Sequence, residues 1–395
     1  MGAEGAWVGM DLGISGYRPG MGWLAQALNA RWAQFSVNVL DDDAREWEQL
    51  PALVEDADRH GCVPILDARG TMDDLARIVT RHNDVAAWVD AVTVYIDRTL
   101  ALLEAEPRIQ NLEVWGSADL PVILGGRGPQ FDCSTILARV HEEVKAAFPQ
   151  VRVLSGGYGI NADSTFLHWG LAEHAPEGFD VYNMHPFPRP GETLTNTLGL
   201  YRQRLDAART CLDDKCAGQP WASTAFGIPT LEGHPPPEYN MGLHWQLPGG
   251  VRAVDYADAA DWYVELLSLF EALGFEFVCL LTQDRLRGGL YRSWQDACGL
   301  LLPDGKPKPF VQALSLWAQE RAPFAGVEEY VTTGTRYQRK PTLTVPPPGG
   351  PTGETLEFND LSDGGALFAP DDVDEAYFPD DDAYDHGTLY KRSDW

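Results

Sequence analysis

The chain has 395 residues, of which 44 % are apolar, and its 58 acidic and 30 basic side chains give a formal net charge of −28. Such a charge repels phosphate backbones and anionic lipids, so we expect neither a nucleic-acid nor a membrane partner. No apolar run reaches the roughly 18 residues of a membrane-spanning helix, and residues 1–5 are too polar for a secretory signal. These features favour synthesis in the cytoplasm.

A short apolar strand followed by an amphipathic helix recurs eight times along the chain. The predicted strands lie at 7–11, 32–39, 62–66, 110–115, 151–155, 179–185, 221–226 and 275–281. The predicted helices lie at 22–30, 43–60, 85–104, 134–148, 164–173, 198–212, 256–273 and 310–320. This rhythm predicts an α/β fold, a (β/α)8 TIM barrel over 1–322. A doubly wound sheet is the alternative, but the turn at 11–16 lacks the GxGxxG spacing of its phosphate loop.

The rhythm stops after residue 322, and three further stretches follow. Residues 323–345 predict a short β-type extension, and 346–395 a Pro/Gly linker with an extended acidic, aromatic tail. Residues 354–395 hold 13 acidic and 2 basic side chains, so the tail cannot bury enough apolar surface to fold alone. We therefore expect it to dock on the barrel or on other protein subunits.

The cysteine and histidine spacings predict no metal site and no cofactor. There is no CxxC pair among the six cysteines, and no His, Asp or Glu cluster has ligand spacing. Cys211 and Cys216 flank a polar turn, where either a small disulfide or two free thiols would fit.

Functional residues of a TIM barrel lie at the carboxyl ends of its strands, and four of these ends carry short motifs. Strand four ends in Trp115-Gly116-Ser117, strand six in His185-Pro186-Phe187 and strand seven in Thr224-Ala225-Phe226-Gly227, and Gly299 to Pro309 reads GLLLPDGKPKP. Together and in this order they resemble the clan A glycoside hydrolases, the cellulase and β-xylosidase superfamily. The resemblance covers about residues 5–320 and implies the same barrel.

The resemblance also exposes two departures. In clan A, strand four ends in Trp-Asn-Glu-Pro, whose Glu is the acid/base, and strand seven in Thr-Glu-Phe-Gly, whose Glu is the nucleophile. Ser117 and Ala225 stand at these two positions. Retaining hydrolysis needs both carboxyl groups, one to protonate the leaving oxygen and one to attack the sugar. The substitutions therefore predict a barrel without the standard chemistry.

Other acids could replace the missing pair. Asp119 lies two residues beyond Ser117, and Asp284 follows strand eight, which makes these two the fallback acids. Asp11 at the end of the first predicted strand, Glu232 after strand seven, and Glu113, which shares the strand face of Trp115, are further candidates. Each could equally be a loop charge, an Arg partner or a helix cap.

Aromatic and imidazole rings at or after the strand ends suit the faces of sugars. These predicted substrate-binding residues are Trp115, Tyr158, His185, Phe187, Phe226, His244, Trp245, Tyr291 and Trp294. The same rings could instead close the barrel mouth or a subunit interface, and for Trp115 and Phe226 we favour packing.

Three functions remain open on the sequence. The leading hypothesis is a degenerate glycosidase-like barrel that serves a larger assembly as a structural or glycan-binding component. A bacteriophage or virus-like particle fits this hypothesis, because incorporation into a virion needs no signal peptide. The alternatives are an active glycoside hydrolase with displaced carboxylates and an architectural subunit with a filled cleft.

Overall fold

The computed structural model of the protein describes residues 10–40, 45–69, 85–114, 133–157, 159, 177–188, 193–213, 216, 218–231, 253–285, 294–321, 342–345 and 354–357. Side chains are described for these ranges except at 45–46, 85–91, 133–135, 294–295, 342–345 and 354–357.

Eight parallel strands form the barrel. They are β1 (Asp11–Ser15), β2 (Trp32–Asn38), β3 (Val63–Arg69), β4 (Asn111–Val114), β5 (Arg152–Leu154), β6 (Tyr182–Asn183), β7 (Trp221–Phe226) and β8 (Phe275–Leu281). Hydrogen bonds join them in the order β5-β4-β3-β2-β1-β8-β7-β6. A parallel bridge between Leu154 and Val181 connects the two ends of this sheet and closes the ring. The predicted TIM-barrel fold is confirmed.

Seven α-helices of the described residues alternate with or follow the strands, and a short 3-10 helix spans Trp294–Ala297. They are α1 (Gly22–Ala27), α2 (Arg45–Arg59), α3 (Val85–Ala105), α4 (Cys133–Ala147), α5 (Leu194–Asp213), α6 (Tyr256–Ala272) and α7 (Val311–Arg321). Asp255 caps α6 by accepting a hydrogen bond from the amide of Ala257. The helix predicted at 164–173 lies outside the described residues.

The barrel interior changes from apolar to polar along its axis. The amino-terminal half of the interior is a separate apolar cluster. Its members are Trp32, Ile65, Leu154, Val181, Ala222, Phe277 and Cys279. Trp32 and Phe277 stack within it, with ring centroids 4.3 Å apart. Because side chains alternate along a strand, the residues two positions further on face the same interior. Those residues include Gln34, Asp67 and Asn183, so the carboxyl half of the interior is polar.

Two strands extend further toward the carboxyl end of the barrel than the sequence predicts. β1 runs from Asp11 to Ser15 instead of ending at Asp11, and β3 continues to Arg69 instead of ending at residue 66. Asp11 therefore begins its strand and lies at the opposite end of the barrel from the expected site. Gly13 is required within β1, because a Cβ there would lie 2.5 Å from Sγ of Cys279.

Beyond the barrel, two strands form an antiparallel hairpin, β9 (Thr342–Val345) and β10 (Glu354–Glu357). β9 lies in the predicted β-type extension, whereas β10 lies within the stretch assigned to the linker and tail. No disulfide joins Cys211 and Cys216.

Candidate functional site

Four side chains from β4, β6 and β7 form a hydrogen-bonded group at the carboxyl end of the barrel, here called the lumen cluster: Glu113, Asn183, His185 and Thr224. Oε1 of Glu113 accepts a hydrogen bond from Nδ2 of Asn183 at 2.9 Å and lies 3.1 Å from Nε2 of His185. Glu113 is completely buried, whereas His185 keeps 7 % of its surface exposed. The cluster therefore places the Glu113 carboxylate deeper in the barrel than the His185 imidazole, which keeps a small exposed surface.

Asn183 connects Glu113 to β7. Its Nδ2 also donates to Oγ1 of Thr224 at 2.9 Å, and its Oδ1 accepts from the amide of Thr224 at 3.0 Å. Oγ1 of Thr224 lies 2.9 Å from Nε2 of His185. Each polar group of the cluster thus fixes the position of its neighbours.

The imidazole of His185 is held by packing as well as by hydrogen bonds. A Cβ built on Gly157, just after β5, would lie 2.1 Å from Cε1 and 2.3 Å from Nδ1 of His185. Phe187 meets the same ring edge-on, with ring centroids 6.3 Å apart. Gly157 is therefore required for the imidazole to lie against the backbone.

A second carboxylate, Asp67 on β3, is the register partner of Glu113 on β4. Its Oδ2 accepts from Nε2 of Gln34 and Oγ of Ser36, both at 2.9 Å, and from Nε of Arg69. The side chain is completely buried, so these donors replace the water that it loses.

The two carboxylates differ in proton affinity. Burial raises the pKa of Asp67 to about 6, and the nearby charge of Glu113 adds to this effect while Arg69 opposes it. Burial also acts on Glu113, but the hydrogen bond with His185 and the charge of Arg69 outweigh it and hold the pKa of Glu113 below its ordinary value. At neutral pH Glu113 is therefore a carboxylate that only accepts hydrogen bonds, and Asp67 is the first of the two to take up a proton.

The carboxyl end of β7 is irregular. Ser223 pairs with Val278 and Phe226 with Leu280, so three steps along β7 match two along β8. Such bulges re-aim side chains and are frequent beside active sites. Thr224 in this bulge reaches His185, while Ala225, which is 5 % exposed, contributes only a methyl group. The carboxyl end of β7 thus contains a bulge of the kind found beside active sites, but its residues 223–226 include no carboxylate.

The lumen cluster is not a nucleophile–base–acid relay. In such a relay the acid contacts one imidazole nitrogen and the hydroxyl nucleophile contacts the other. Here Glu113 and Thr224 both contact Nε2 of His185. The arrangement orients the imidazole but does not activate Thr224 as a nucleophile.

Asp284, one of the fallback acids, lies in a buried ion pair. Nζ of Lys308 lies 2.8 Å from Oδ1 of Asp284 and also donates to Oγ1 of Thr230 at 2.8 Å and to the carbonyl of Ala297 at 3.0 Å. The amide of Gly299 donates to the same Oδ1 at 2.8 Å. The GLLLPDGKPKP motif thus connects the loops after β7 and β8, and the role of Asp284 as a replacement acid stays a prediction.

Phe226 lies away from any ligand surface. It is completely buried and packs edge-on against Tyr263 and Phe270 of α6, with centroid distances of 5.8 Å and 5.0 Å. The structure therefore places it between the barrel and its helix layer.

Most other predicted site residues lie outside the described residues: Trp115, Ser117, Asp119, Tyr158, Glu232, His244, Trp245 and Tyr291, together with the side chain of Trp294. Their predicted roles remain predictions. In the part of the chain that the structure describes, no group of three or more potential ligand side chains could hold a metal ion. No helix there combines the length and apolarity needed to span a bilayer.

Sequence reasoning missed Asp67, Asn183 and Lys308, which are buried near the carboxyl end of the barrel. Asp67 lies beyond the predicted end of β3, and Lys308 lies in a motif recognised without a physical role. Glu113 could be expected inside the barrel from strand alternation, and its contacts with Asn183 and His185 place it there.

Solved glycoside hydrolases share this fold. The exo-β-1,4-mannosidase Op5Man5 from Opitutaceae bacterium strain TAV5 matches with a TM-score of 0.55 and 14 % identity, over 79 % of this chain and 60 % of that chain. The β-glucuronidase of Ruminococcus gnavus matches with a TM-score of 0.52 and 13 % identity, over 79 % and 50 %. The GH39 enzyme of Xanthomonas axonopodis pv. citri matches with a TM-score of 0.50 and 16 % identity, over 78 % and 66 %.

These likenesses confirm, at the level of the fold, the resemblance to clan A glycoside hydrolases that the strand-end motifs predict. The chain spans between 50 % and 66 % of the length of these three enzymes. No protein-family model and no curated protein sequence matches the chain.

Proposed function

We propose that the protein is a catalytically degenerate glycoside-hydrolase-like barrel that binds carbohydrate as a component of a larger assembly. A phage or virus-like particle is the assembly we favour. The observation that carries this proposal is Ala225, a methyl group in the β7 bulge where the clan A motif has its nucleophile. A methyl group can neither attack a sugar carbon nor stabilise a developing positive charge.

The described carboxylates at the mouth do not restore the chemistry. A retaining pair must reach both sides of one glycosidic bond, with the carboxyl groups about 5–5.5 Å apart. Asp67, Glu113 and Asp284 are all buried and engaged with Arg69, His185 and Lys308. This supports binding without hydrolysis over a displaced catalytic pair.

Glycan binding is supported by the described part of the barrel mouth. His185 and Phe187 remain beside each other at the end of β6, and the lumen cluster holds the imidazole in one orientation. Orienting polar groups beside an aromatic ring is the usual design of a small-ligand site.

The hydrolysis test uses the full chain with p-nitrophenyl β-mannoside and β-glucuronide and with a panel of bacterial polysaccharides. We expect the native protein to release hydrolysis products from these substrates no faster than heat-denatured protein does. Turnover that is lost in Asp119→Asn or Asp284→Asn would instead establish an active hydrolase with displaced carboxylates.

The binding test uses an array of immobilised glycans. We expect wild-type protein to retain at least one glycan and His185→Gln to bind it at least tenfold more weakly. An array that stays silent would contradict the carbohydrate-binding function and favour an architectural subunit.

A further inference from the structure

The protons of the lumen cluster can be assigned by counting donors and acceptors. The amide group of Asn183 donates both of its protons, one to Oε1 of Glu113 and one to Oγ1 of Thr224. The hydroxyl proton of Thr224 goes back to Oδ1 of Asn183 at 3.2 Å. Oγ1 of Thr224 can therefore only accept a hydrogen bond from His185.

Nε2 of His185 consequently faces two acceptors, Oε1 of Glu113 at 3.1 Å and Oγ1 of Thr224 at 2.9 Å. An unprotonated Nε2 would direct its lone pair at both oxygens, and the contact with a fully buried carboxylate would be repulsive. Nε2 must therefore carry the proton, shared between the two oxygens. In the neutral imidazole Nδ1 is then the acceptor.

Nδ1 is the nitrogen left over for a ligand. Among the described residues it has no hydrogen-bond partner. His185 retains some exposure at the mouth while Glu113 has none. A ligand can therefore contact the histidine, whereas the carboxylate can act only through it.

We propose that Glu113 is a positioning residue that keeps the proton of His185 on Nε2, so that Nδ1 accepts a hydrogen bond from a glycan hydroxyl. The assignment of the tautomer stands on the cluster geometry alone. The identity of the ligand group rests on the proposed function.

The surroundings of Glu113 keep it suited to this role. Arg69 from β3 is the cation that acts on it, His185 from β6 is its hydrogen-bond partner, and Asp67 on β3 and the buried thiol of Cys279 on β8 are the neighbouring acidic groups. Oε2 of Glu113 is buried and has no hydrogen-bond partner among the described residues. The whole interaction with the imidazole therefore depends on the charge and acceptor character of Oε1.

The tautomer is measured on the full chain labelled with 15N-histidine, by long-range 1H–15N correlation NMR at mildly alkaline pH. The spectrum of His185→Gln assigns the signals of His185. We expect wild-type His185 to be the Nε2–H tautomer. In Glu113→Gln, a neutral amide that can also donate, we expect the ratio of Nε2–H to Nδ1–H to fall at least tenfold.

Glu276→Gln is the matched control, because Glu276 is a β8 carboxylate that pairs with Arg152 away from His185. It should leave the signals of His185 unchanged. A wild-type proton on Nδ1 overturns the proposal even if Glu113→Gln fails to fold. An unchanged tautomer in folded Glu113→Gln overturns it equally.

Glycan binding then separates this inference from the function on which its ligand depends. On a glycan that the wild-type chain retains on the array, Glu113→Gln should bind at least tenfold more weakly, and Glu276→Gln should bind normally. Normal binding by Glu113→Gln would overturn the link from tautomer to ligand. If the wild-type chain binds no glycan on the array, the glycan ligand and the proposed function are both wrong. The NMR result would still determine the tautomer.

Discussion

Ionisation of the Asp67 carboxyl group opposes folding. This group is completely buried, and its pKa is raised from an ordinary value of 3.8 to about 6. The folded state therefore binds this proton more readily than the unfolded state. The contribution of Asp67 to stability is largest below pH 4 and falls as the pH rises to about 6 and beyond.

Asp67→Asn removes this titration. We expect the free energy of unfolding of the variant to gain on the wild type by roughly 2 kcal/mol between pH 4 and pH 7, since a tenfold difference in proton affinity is worth about 1.4 kcal/mol and the unfolded Asp is already partly ionised at pH 4. Urea unfolding of both proteins across this range measures the difference. Glu113 contributes in the opposite direction, because its lowered pKa makes its stabilising contribution fall as the pH falls. A difference in unfolding free energy that stays constant with pH would show that the pKa of Asp67 is not raised.

Gly157 sets the position of the histidine. An added Cβ would overlap the ring atoms of His185 at 2.1–2.3 Å, so Gly157→Ala should displace the imidazole and abolish any glycan binding that depends on it. Gly199 is the control, because nothing lies within 4 Å of its added Cβ and it lies in α5. Gly199→Ala should stabilise the protein by about 0.5–1 kcal/mol. Equal binding by both variants would contradict the assigned position.

At the scale of elements, Lys308 joins the loops after β7 and β8 through its contacts with Thr230 and Asp284. Removing one partner of a buried ion pair typically costs about 3–5 kcal/mol, because the remaining charge stays buried. We expect Lys308→Met to destabilise the protein by this amount and to increase hydrogen exchange in 227–231, 282–285 and 294–301.

Lys306→Met provides the matched control two residues away. Lys306 lies 3.6 Å from Asp304 on the surface, and exposed pairs of this kind contribute about 0–1 kcal/mol. If both lysine variants unfold at the same urea concentration, the buried pair does not hold these loops.

The ends of individual strands show what sequence patterns can and cannot predict. The sequence predicts β2, β7 and β8 well, because apolar residues occupy most positions of each strand. β3 is read as ending at Leu66 because Asp67 and Arg69 are typical loop residues, yet both lie on the strand. β1 is misplaced because Gly13 is typical of a turn, while its real role is to admit Cys279 and Trp32.

The candidate site could be predicted only in part. Its place at the strand ends and the change at Ala225 follow from the barrel and the motif. The bonds of Glu113, Asn183 and Thr224 could not be predicted, because they depend on the register of three strands far apart in sequence and on the bulge in β7.

At the scale of the molecule, we expect the barrel to fold without the acidic tail and the tail to be needed for assembly. Residues 358–395 follow β10 and carry most of the acidic groups of the tail. Removing them should leave the thermal midpoint of the barrel within about 2 °C, while assembly with partner subunits should be lost, as judged by light scattering. A collapsed barrel would show instead that the tail is part of the fold.

We propose that the barrel has the glycosidase fold without glycosidase chemistry. The most direct test is the rate of glycoside hydrolysis by the purified full chain across the aryl glycosides and polysaccharides named above. We predict no turnover above the denatured control for any substrate. Efficient cleavage of any one linkage by the wild-type chain would contradict it.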